Sequence, residues 1–150
     1  MTSPEQVALP AALRDAGLRI TASRLAVLSA VTEGKHLTAD QVAAAVRGRV
    51  GTISTQAVYD VLGALTKAGL TRRIEPAGSA ARYETRVGDN HHHLVCRNCG
   101  AVSDVDCVVE EPPCVLPAES SGFAIDEAEV IFWGLCPACQ TSSKSQQEAR

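Results

Sequence analysis

Two Cys-x2-Cys pairs carry the strongest chemical signal in this 150-residue sequence. Cys96 and Cys99 form the first pair, and Cys136 and Cys139 form the second. Each pair can place two thiolates on one ion, and four thiolates make a closed tetrahedral site that selects Zn(II). A redox dithiol or an iron–sulfur cluster is an alternative that fits two such pairs less naturally. The spacing therefore predicts a structural zinc site, with intervening structure bringing the pairs together.

A run of three histidines, His91 to His93, precedes the first cysteine pair. We expect this run to enter a strand, so that His91 and His93 share one face while His92 points away. Glu84 and Asp104 are nearby oxygen donors, although each alone is more typical of a surface carboxylate. Nitrogen and oxygen ligands together suit Fe(II), Mn(II) or Zn(II) and exchange metal more readily than a thiolate cage. The alternative is an exposed polar strand end.

The two remaining cysteines, Cys107 and Cys114, match neither pair. Unpaired cysteines of this kind are small buried hydrophobic residues or, alternatively, redox-active thiols. The first residues lack the basic-then-apolar pattern of a secretory signal, and no apolar run reaches the ~18 residues of a membrane helix. We therefore expect a cytoplasmic protein with reduced thiols and no membrane partner.

Charge is distributed unevenly along the chain. Residues 1–86 hold 11 basic and 7 acidic side chains, a net charge of +4, whereas residues 87–150 hold 3 and 10, a net charge of −7. This asymmetry favours a basic half that meets a polyanion, although an uneven solvated surface is the alternative. All six cysteines follow residue 90, so we predict a domain over 1–85, a second over 86–140 and a disordered tail over 141–150.

Short helices and a hairpin are the predicted elements of the first half. Thr21 can cap one helix, Thr38 and Gln41 fit a capping box for another, and Ser54 or Thr55 can cap a third that ends at Gly69. Residues 71–74 and 81–84 read as a β-hairpin. Several helices followed by a hairpin are typical of a winged helix-turn-helix, although small helical domains with other uses exist.

The helix after Ser54 is the candidate DNA-recognition element. Its first turn and outer face carry small and polar groups that can contact phosphates and base edges: Ser54, Thr55, Gln56 and Tyr59. Arginines before the helix and on the hairpin could neutralise phosphates: Arg14, Arg19, Arg24, Arg72, Arg73 and Arg82.

Together these motifs resemble the ferric uptake regulator (Fur) family of metal-dependent repressors over roughly residues 10–140. The resemblance rests on several ordered motifs: Ala-Gly-Leu-Arg-Ile-Thr (16–21), Gln-Ala-Val-Tyr-Asp-Val-Leu (56–62), Arg-Tyr-Glu (82–84), His-His-His-Leu-Val-Cys-Arg-Asn-Cys-Gly (91–100) and the final Cys-Pro-Ala-Cys. The sequence is similar to the actinobacterial branch associated with catalase-peroxidase control. The resemblance implies an α+β chain with an N-terminal winged-helix DNA-binding domain, a small α/β dimerisation domain and a homodimer on a palindromic operator.

The resemblance also implies roles for single residues. Tyr59 is similar to the family's base-contacting tyrosine, and Arg19 to its minor-groove residue. The four paired cysteines are similar to its structural Zn(II) ligands. The ligands of its regulatory Fe(II) or Mn(II) site, which Zn(II) can occupy in isolated protein, are matched by His36, Glu84, His91, His93 and Asp104.

An aspartate at position 104 resembles the peroxide-responsive members, in which bound Fe(II) reacts with peroxide and a ligand histidine is oxidised. The alternatives are a repressor of iron or other metal homeostasis and a thiol-based redox repressor that uses Cys107 and Cys114. No nucleophile or deaminase motif is present, so we expect no enzyme. A third metal site known in some members requires histidines where Asn90 and Ala128 stand, and is not predicted. Asp60 replaces a common arginine, so the operator sequence is not inferred.

Overall fold

The computed structural model describes residues 4–109, 111 and 113–147. The chain divides into two compact units, Met1–Gly88 and Asp89–Arg150. This division lies close to the boundary expected from the sequence near residue 85. No helix among the described residues is long and apolar enough to cross a membrane.

Four helices form most of the first unit: α1 (Pro4–Asp15), α2 (Ala22–Gly34), α3 (Ala39–Val50) and α4 (Thr55–Lys67). The predicted caps are confirmed. The Thr21 hydroxyl accepts from the Arg24 amide, and the Ser54 hydroxyl accepts from the Ala57 amide. Thr38 and Gln41 form the complete capping box of α3. Such caps satisfy amide groups that have no partner within the helix.

Gly69 ends α4 as the sequence predicts. Its φ of 76° lies in the left-handed region, where a side chain would be strained. The amides of Gly69 and Leu70 donate to the carbonyls of Thr66 and Leu65, which closes the last turn. The chain then turns directly into the hairpin.

The predicted hairpin is present as β2 (Arg72–Ile74) and β3 (Arg82–Glu84), which pair antiparallel. A short strand that the sequence did not reveal, β1 (Leu37–Thr38), adds to the free side of β3, so the sheet order is β1-β3-β2. Helices α2 to α4 with this small sheet form the expected winged helix-turn-helix.

Aliphatic side chains from the helices form one core in the first unit, joined by Tyr83 of the hairpin. Its fully buried members include Val27 and Val31 of α2, Val42 of α3, and Leu62 of α4. Helix α2 is buried all round over residues 26–31, whereas α4 buries Val58, Leu62 and Leu65 on one face and exposes the other. The buried face of α4 fixes which of its side chains remain in solvent.

The second unit contains a mixed three-stranded sheet and one helix. Its strands are β4 (His91–Cys96), β5 (Val102–Asp106) and β6 (Ile131–Gly134), and its helix is α5 (Pro137–Gln147). The central strand β4 pairs antiparallel with β5 and parallel with β6. The predicted strand through the three histidines is thus confirmed, and the chain as a whole is α+β.

Helix α5 differs from the disordered tail expected over residues 141–150. The helix continues to Gln147. The hydroxyls of Thr141 and Ser142 donate to the carbonyls of Pro137 and Ala138, four residues back, a hydrogen bond that these residues can make within a helix. Residues 148–150, and residues 110 and 112 of the Glu-Glu-Pro-Pro stretch, lie outside the described residues.

Candidate metal centres

The two cysteine pairs meet in the second unit. Cys96 ends β4 and Cys99 follows in a turn, whereas Cys136 immediately precedes α5 and Cys139 lies in its first turn. The four sulfur atoms all lie within 4.8 Å of one another, and Cys99 Sγ is 3.7 Å from Cys136 Sγ. Strand β6 runs parallel to β4 and ends beside it, so the second cysteine pair follows next to the first. The Arg97 amide donates to the Gly134 carbonyl at 2.8 Å and holds the two strand ends together.

The surroundings of these sulfurs favour a bound cation. The Cys136 amide donates to Cys96 Sγ at 3.3 Å, and this bond and the Cys99 amide lower the pKa of Cys96 to about 6. The side-chain amide of Asn98 donates to Cys139 Sγ, which lowers the pKa of Cys139. The neighbouring Cys136 thiol and burial outweigh this effect and raise that pKa to about 11. Four converging thiols cannot all ionise without a cation, and four thiolates are the donor set of structural Zn(II).

Three potential ligands, His91, His93 and Asp104, converge on one side of β4. His92, the middle histidine of the run, points to the opposite side. His93 lies directly across from Asp104 in the β4–β5 ladder. Asp104 Oδ1 is 3.4 Å from His93 Nε2 and 3.7 Å from His91 Nε2, and the two imidazole rings are 4.9 Å apart. The shared face that strand alternation predicted for His91 and His93 is therefore confirmed.

Burial and hydrogen bonding orient this group. The histidines are buried, whereas the Asp104 side chain is 26% exposed. His91 Nδ1 lies 2.6 Å from Asp89 Oδ1, which turns its Nε2 towards Asp104. An imidazole fixed through one nitrogen presents the other as a ligand, so the arrangement suits a nitrogen- and oxygen-coordinated divalent metal.

The remaining predicted ligands, His36 and Glu84, meet inside the first unit. His36 precedes β1 and Glu84 ends β3, and pairing of these strands places His36 Nε2 3.1 Å from Glu84 Oε2. The Arg82 guanidinium donates to the His36 carbonyl at 3.0 Å. Glu84 is only 2% exposed. A buried carboxylate beside an imidazole is a pair of donors that a cation would stabilise.

The structure also brings together His92, Cys107 and Cys114, which sequence analysis left unconnected. Burial and the adjacent Cys107 raise the pKa of the Cys114 thiol. The signal available in the sequence was the alternation that separates His92 from its neighbours. The signal missing was the path of the chain after Cys107, which no periodic pattern specifies.

The predicted DNA-contacting residues lie on the surface of the first unit. Tyr59 projects from α4 with 47% of its surface exposed. Gln56 donates to Asp60 at 2.9 Å, and Arg47 lies 3.5 Å from the Thr55 hydroxyl. Arg24 donates to the carbonyl of Arg19, whose side chain is exposed. Ser54 caps α4 with its hydroxyl, so its side chain is already engaged.

Sequence comparison decides the family. The profile of the "Ferric uptake regulator family" matches residues 15–132, most of both units. The chain belongs to the ferric uptake regulator family. Members of this family are metal-dependent transcriptional regulators, and the clusters of metal-ligating side chains in this chain agree with that description.

Mycobacterial relatives of the Fur family cover most of the chain. "Transcriptional regulator FurA" of Mycobacterium tuberculosis is 57% identical over 134 residues, 89% of this chain and 91% of that protein. "Ferric uptake regulation protein 1" of Mycolicibacterium fortuitum is 63% identical over 121 residues, 81% and 75% of the two chains. The expected similarity to the actinobacterial branch is consistent with these relatives.

A solved Fur structure shows the same fold. The Vibrio cholerae ferric uptake regulator superimposes with a TM-score of 0.64 at 23% identity, covering 85% of this chain and 98% of that one. The expected α+β fold is confirmed.

Proposed function

We propose that this Fur-family protein is a peroxide-responsive repressor that binds a palindromic operator as a homodimer and regulates oxidative-stress genes, including catalase-peroxidase. The observation that carries the proposal is the convergence of His91, His93 and Asp104 on one face of β4. The donor set is the one expected for Fe(II) or Mn(II), and it contains the aspartate that resembles peroxide-responsive members.

The two metal centres have different roles in this proposal. Cys96, Cys99, Cys136 and Cys139 bind Zn(II) as a closed structural site, because four thiolates leave no open position. His91, His93 and Asp104, together with His36 and Glu84 of the first unit, bind the regulatory ion. Nitrogen and oxygen ligands release and accept metal more readily than thiolates, which suits a site that responds to its surroundings.

Ligands drawn from both units explain how metal controls DNA binding. His36 and Glu84 are fixed to the winged-helix sheet, whereas the other ligands are fixed to β4 and β5. Shared coordination restrains the first unit relative to the second, and therefore the spacing of two α4 helices in a dimer. A near-complete switch requires the metal to bind the closed form about 5.5 kcal/mol more tightly than the open form. Structural zinc binding reaches roughly 10–16 kcal/mol in peptides, so one well-placed ion could supply a difference of this size.

The exposed face of α4 reads the operator in this proposal. Tyr59 and Gln56 contact base edges, whereas Ser54 and Thr55 at the helix start and Arg19 contact the phosphate backbone or minor groove. The net charge of +4 over residues 1–86 supports attraction to DNA. A symmetric dimer places two α4 helices in successive major grooves near a multiple of ~34 Å.

An apolar surface on the second unit supports the homodimer. Leu94 of β4 and Phe132 of β6 lie directly opposite each other and are about half exposed. Leu116 and Phe123 expose about three-quarters of their surface. Exposed apolar side chains such as these favour a protein interface, and a second copy of the chain would supply the same surface in return.

Two further points support peroxide sensing in particular. The "Peroxide operon regulator" of Bacillus subtilis is 29% identical over 128 residues, 85% of this chain and 88% of that protein. Fe(II) held by His91, His93 and Asp104 would supply the one-electron chemistry that activates peroxide. His91 and His93 are the oxidisable ligands nearest to Asp104, and conversion of an imidazole C–H to the 2-oxo form consumes one peroxide and releases one water.

Metal-dependent DNA binding of ligand variants tests the proposal. In His36→Ala and His93→Ala, we expect the zinc content and the folded state to persist while Mn(II) no longer raises affinity for promoter DNA. Asp126→Asn removes an exposed carboxylate elsewhere and should behave like the native protein. Full stimulation by Mn(II) in both histidine variants would contradict the shared regulatory site.

A further inference from the structure

One imidazole and two thiols form a cluster on the face of β4 opposite His91 and His93. His92 Nε2 lies 3.0 Å from Cys114 Sγ, and ligand atoms of His92, Cys107 and Cys114 all lie within 4.8 Å of one another. We propose that these three residues form a second thiolate site that binds Zn(II). The inference does not depend on the proposed function, because it concerns ligands that neither the structural nor the regulatory centre uses.

The His92 side chain is buried and directed into the cluster. The residue is 5% exposed, and its Nδ1 has no hydrogen-bond partner among the described residues. Its edge contact with the Phe132 ring, 6.4 Å between centroids, holds the imidazole on this face of the sheet. The nitrogen on the cluster side is Nε2, which lies beside Cys114 Sγ, so a cation held between the imidazole and the thiols would be coordinated by Nε2.

Backbone hydrogen bonds fix Cys107 beside the start of β4. The Cys107 amide donates to the Asn90 carbonyl at 3.2 Å, and the Asn90 side-chain amide donates to the Val109 carbonyl at 2.8 Å. The Val109 amide in turn donates to Cys107 Sγ at 3.3 Å. These hydrogen bonds place the Cys107 sulfur beside the His92 and Cys114 ligand atoms, within 4.8 Å of both.

The donor set and spacing match Zn(II). With Zn–S near 2.3 Å and Zn–N near 2.0–2.1 Å, donors around tetrahedral zinc are separated by roughly 3.4–3.8 Å, which the cluster reaches with small side-chain adjustments. Two sulfurs and one nitrogen favour a soft or borderline ion over the Fe(II) or Mn(II) suited to the opposite face. Three protein ligands leave a fourth position for water or another ligand.

These donors differ from those of the third metal site known in some members of the family, which is not predicted for this chain. That site requires histidines where this chain has Asn90 and Ala128. The cluster proposed here instead uses two cysteines from the segment that follows β5. Metal bound by His92, Cys107 and Cys114 would therefore cross-link the segment after β5 to the central strand β4. Consecutive histidines of β4 would then coordinate two different ions, His92 on one face and His91 and His93 on the other.

Cobalt substitution tests the site in the full-length protein. Dialysis against a chelator of moderate affinity empties open sites and leaves the closed four-cysteine site filled. Co(II) is then added without oxygen, in the presence of a phosphine reductant. We expect thiolate-to-Co(II) charge-transfer absorption in the native protein, because nitrogen and oxygen ligands alone cannot produce it. Zinc content before chelation should exceed that of Cys107→Ser/Cys114→Ser by one ion per chain.

Matched variants locate the signal. Cys107→Ser/Cys114→Ser should lose the charge-transfer absorption, and His92→Ala should weaken Co(II) binding by more than about tenfold. His91→Ala, which removes the neighbouring histidine from the other face, should retain it. The proposal is overturned if the native protein shows neither the absorption nor the extra zinc, or if the absorption survives in the double serine variant. Loss of the absorption in His91→Ala would also overturn it.

Discussion

Asp104 lies directly opposite His93 in the β4–β5 ladder, with Oδ1 3.4 Å from Nε2 of the histidine. A cross-strand pair of this kind is held by the backbone hydrogen bonds of the sheet rather than by flexible loops. The carboxylate and imidazole therefore have a fixed separation before any metal binds. Such preorganised ligands lower the entropic cost of coordination.

Asp104→Glu should separate metal binding from peroxide sensing. The longer carboxylate keeps its charge and can still coordinate, so we expect Mn(II) to support DNA binding as in the native protein. Its oxygen occupies a different position relative to His91 and His93, so the Fe(II)-loaded variant should keep binding DNA after peroxide. Asp126→Glu is the matched control. If peroxide abolished DNA binding equally in the Fe(II)-loaded Asp104→Glu variant and the Fe(II)-loaded native protein, the role assigned to Asp104 would be contradicted.

Cys99→Ser should remove the structural zinc and destabilise the second unit. Zinc coordination contributes on the order of 10 kcal/mol in small domains, more than the whole stability of many of them. We expect metal analysis to show one ion fewer per chain and thermal melting to show loss of a cooperative transition. Ser103→Ala changes an exposed side chain of β5 and should leave both measurements unchanged. Retention of full zinc content by Cys99→Ser would show that the four cysteines do not form one site.

Tyr59→Ala should weaken operator binding without changing metal content. Tyr59 is half exposed on α4, so its removal leaves the core intact, and loss of one base contact costs about 1–3 kcal/mol. Titration of labelled operator at fixed salt should therefore show roughly 5- to 150-fold weaker binding. Tyr59→Phe separates the hydroxyl from the ring. Unchanged affinity in both variants would exclude Tyr59 from the interface.

Leu62→Ala should destabilise the first unit. The side chain is fully buried on the inner face of α4, and truncation of a buried leucine costs about 2–5 kcal/mol. Denaturant unfolding followed by circular dichroism measures this loss. Ile20→Ala, at an exposed position, should change stability by less than about 0.5 kcal/mol. Similar losses in the two variants would be inconsistent with the described core.

The sequence predicted the elements whose signals are local. Thr21, Thr38 and Ser54 act as caps because a hydroxyl and an amide three residues apart need no distant partner. Strand alternation likewise placed His91 and His93 together. These predictions depend on backbone geometry alone.

Contacts between residues far apart in the sequence could not be predicted from local patterns. Strand β1 is only two residues long and exists because β3 offers it a free edge, which no pattern around Leu37 reveals. The approach of Cys114 to His92 depends on the irregular path after β5, where turns and prolines replace periodic spacing. Side-chain chemistry identified the ligand types, but tertiary packing selected their partners.

The most direct test of the account measures affinity for the promoter DNA next to the protein's own gene, with Mn(II) or Fe(II) loaded anaerobically, before and after a peroxide pulse. We predict that both metals support binding, that peroxide abolishes binding only in the Fe(II) form, and that thiol reductant does not restore it. Mass spectrometry should then find one added oxygen atom on His91 or His93. Survival of the Fe(II) complex, with binding that follows metal concentration alone, would contradict peroxide sensing and indicate a metal-homeostasis repressor. Restoration by thiol would instead indicate a cysteine-based switch.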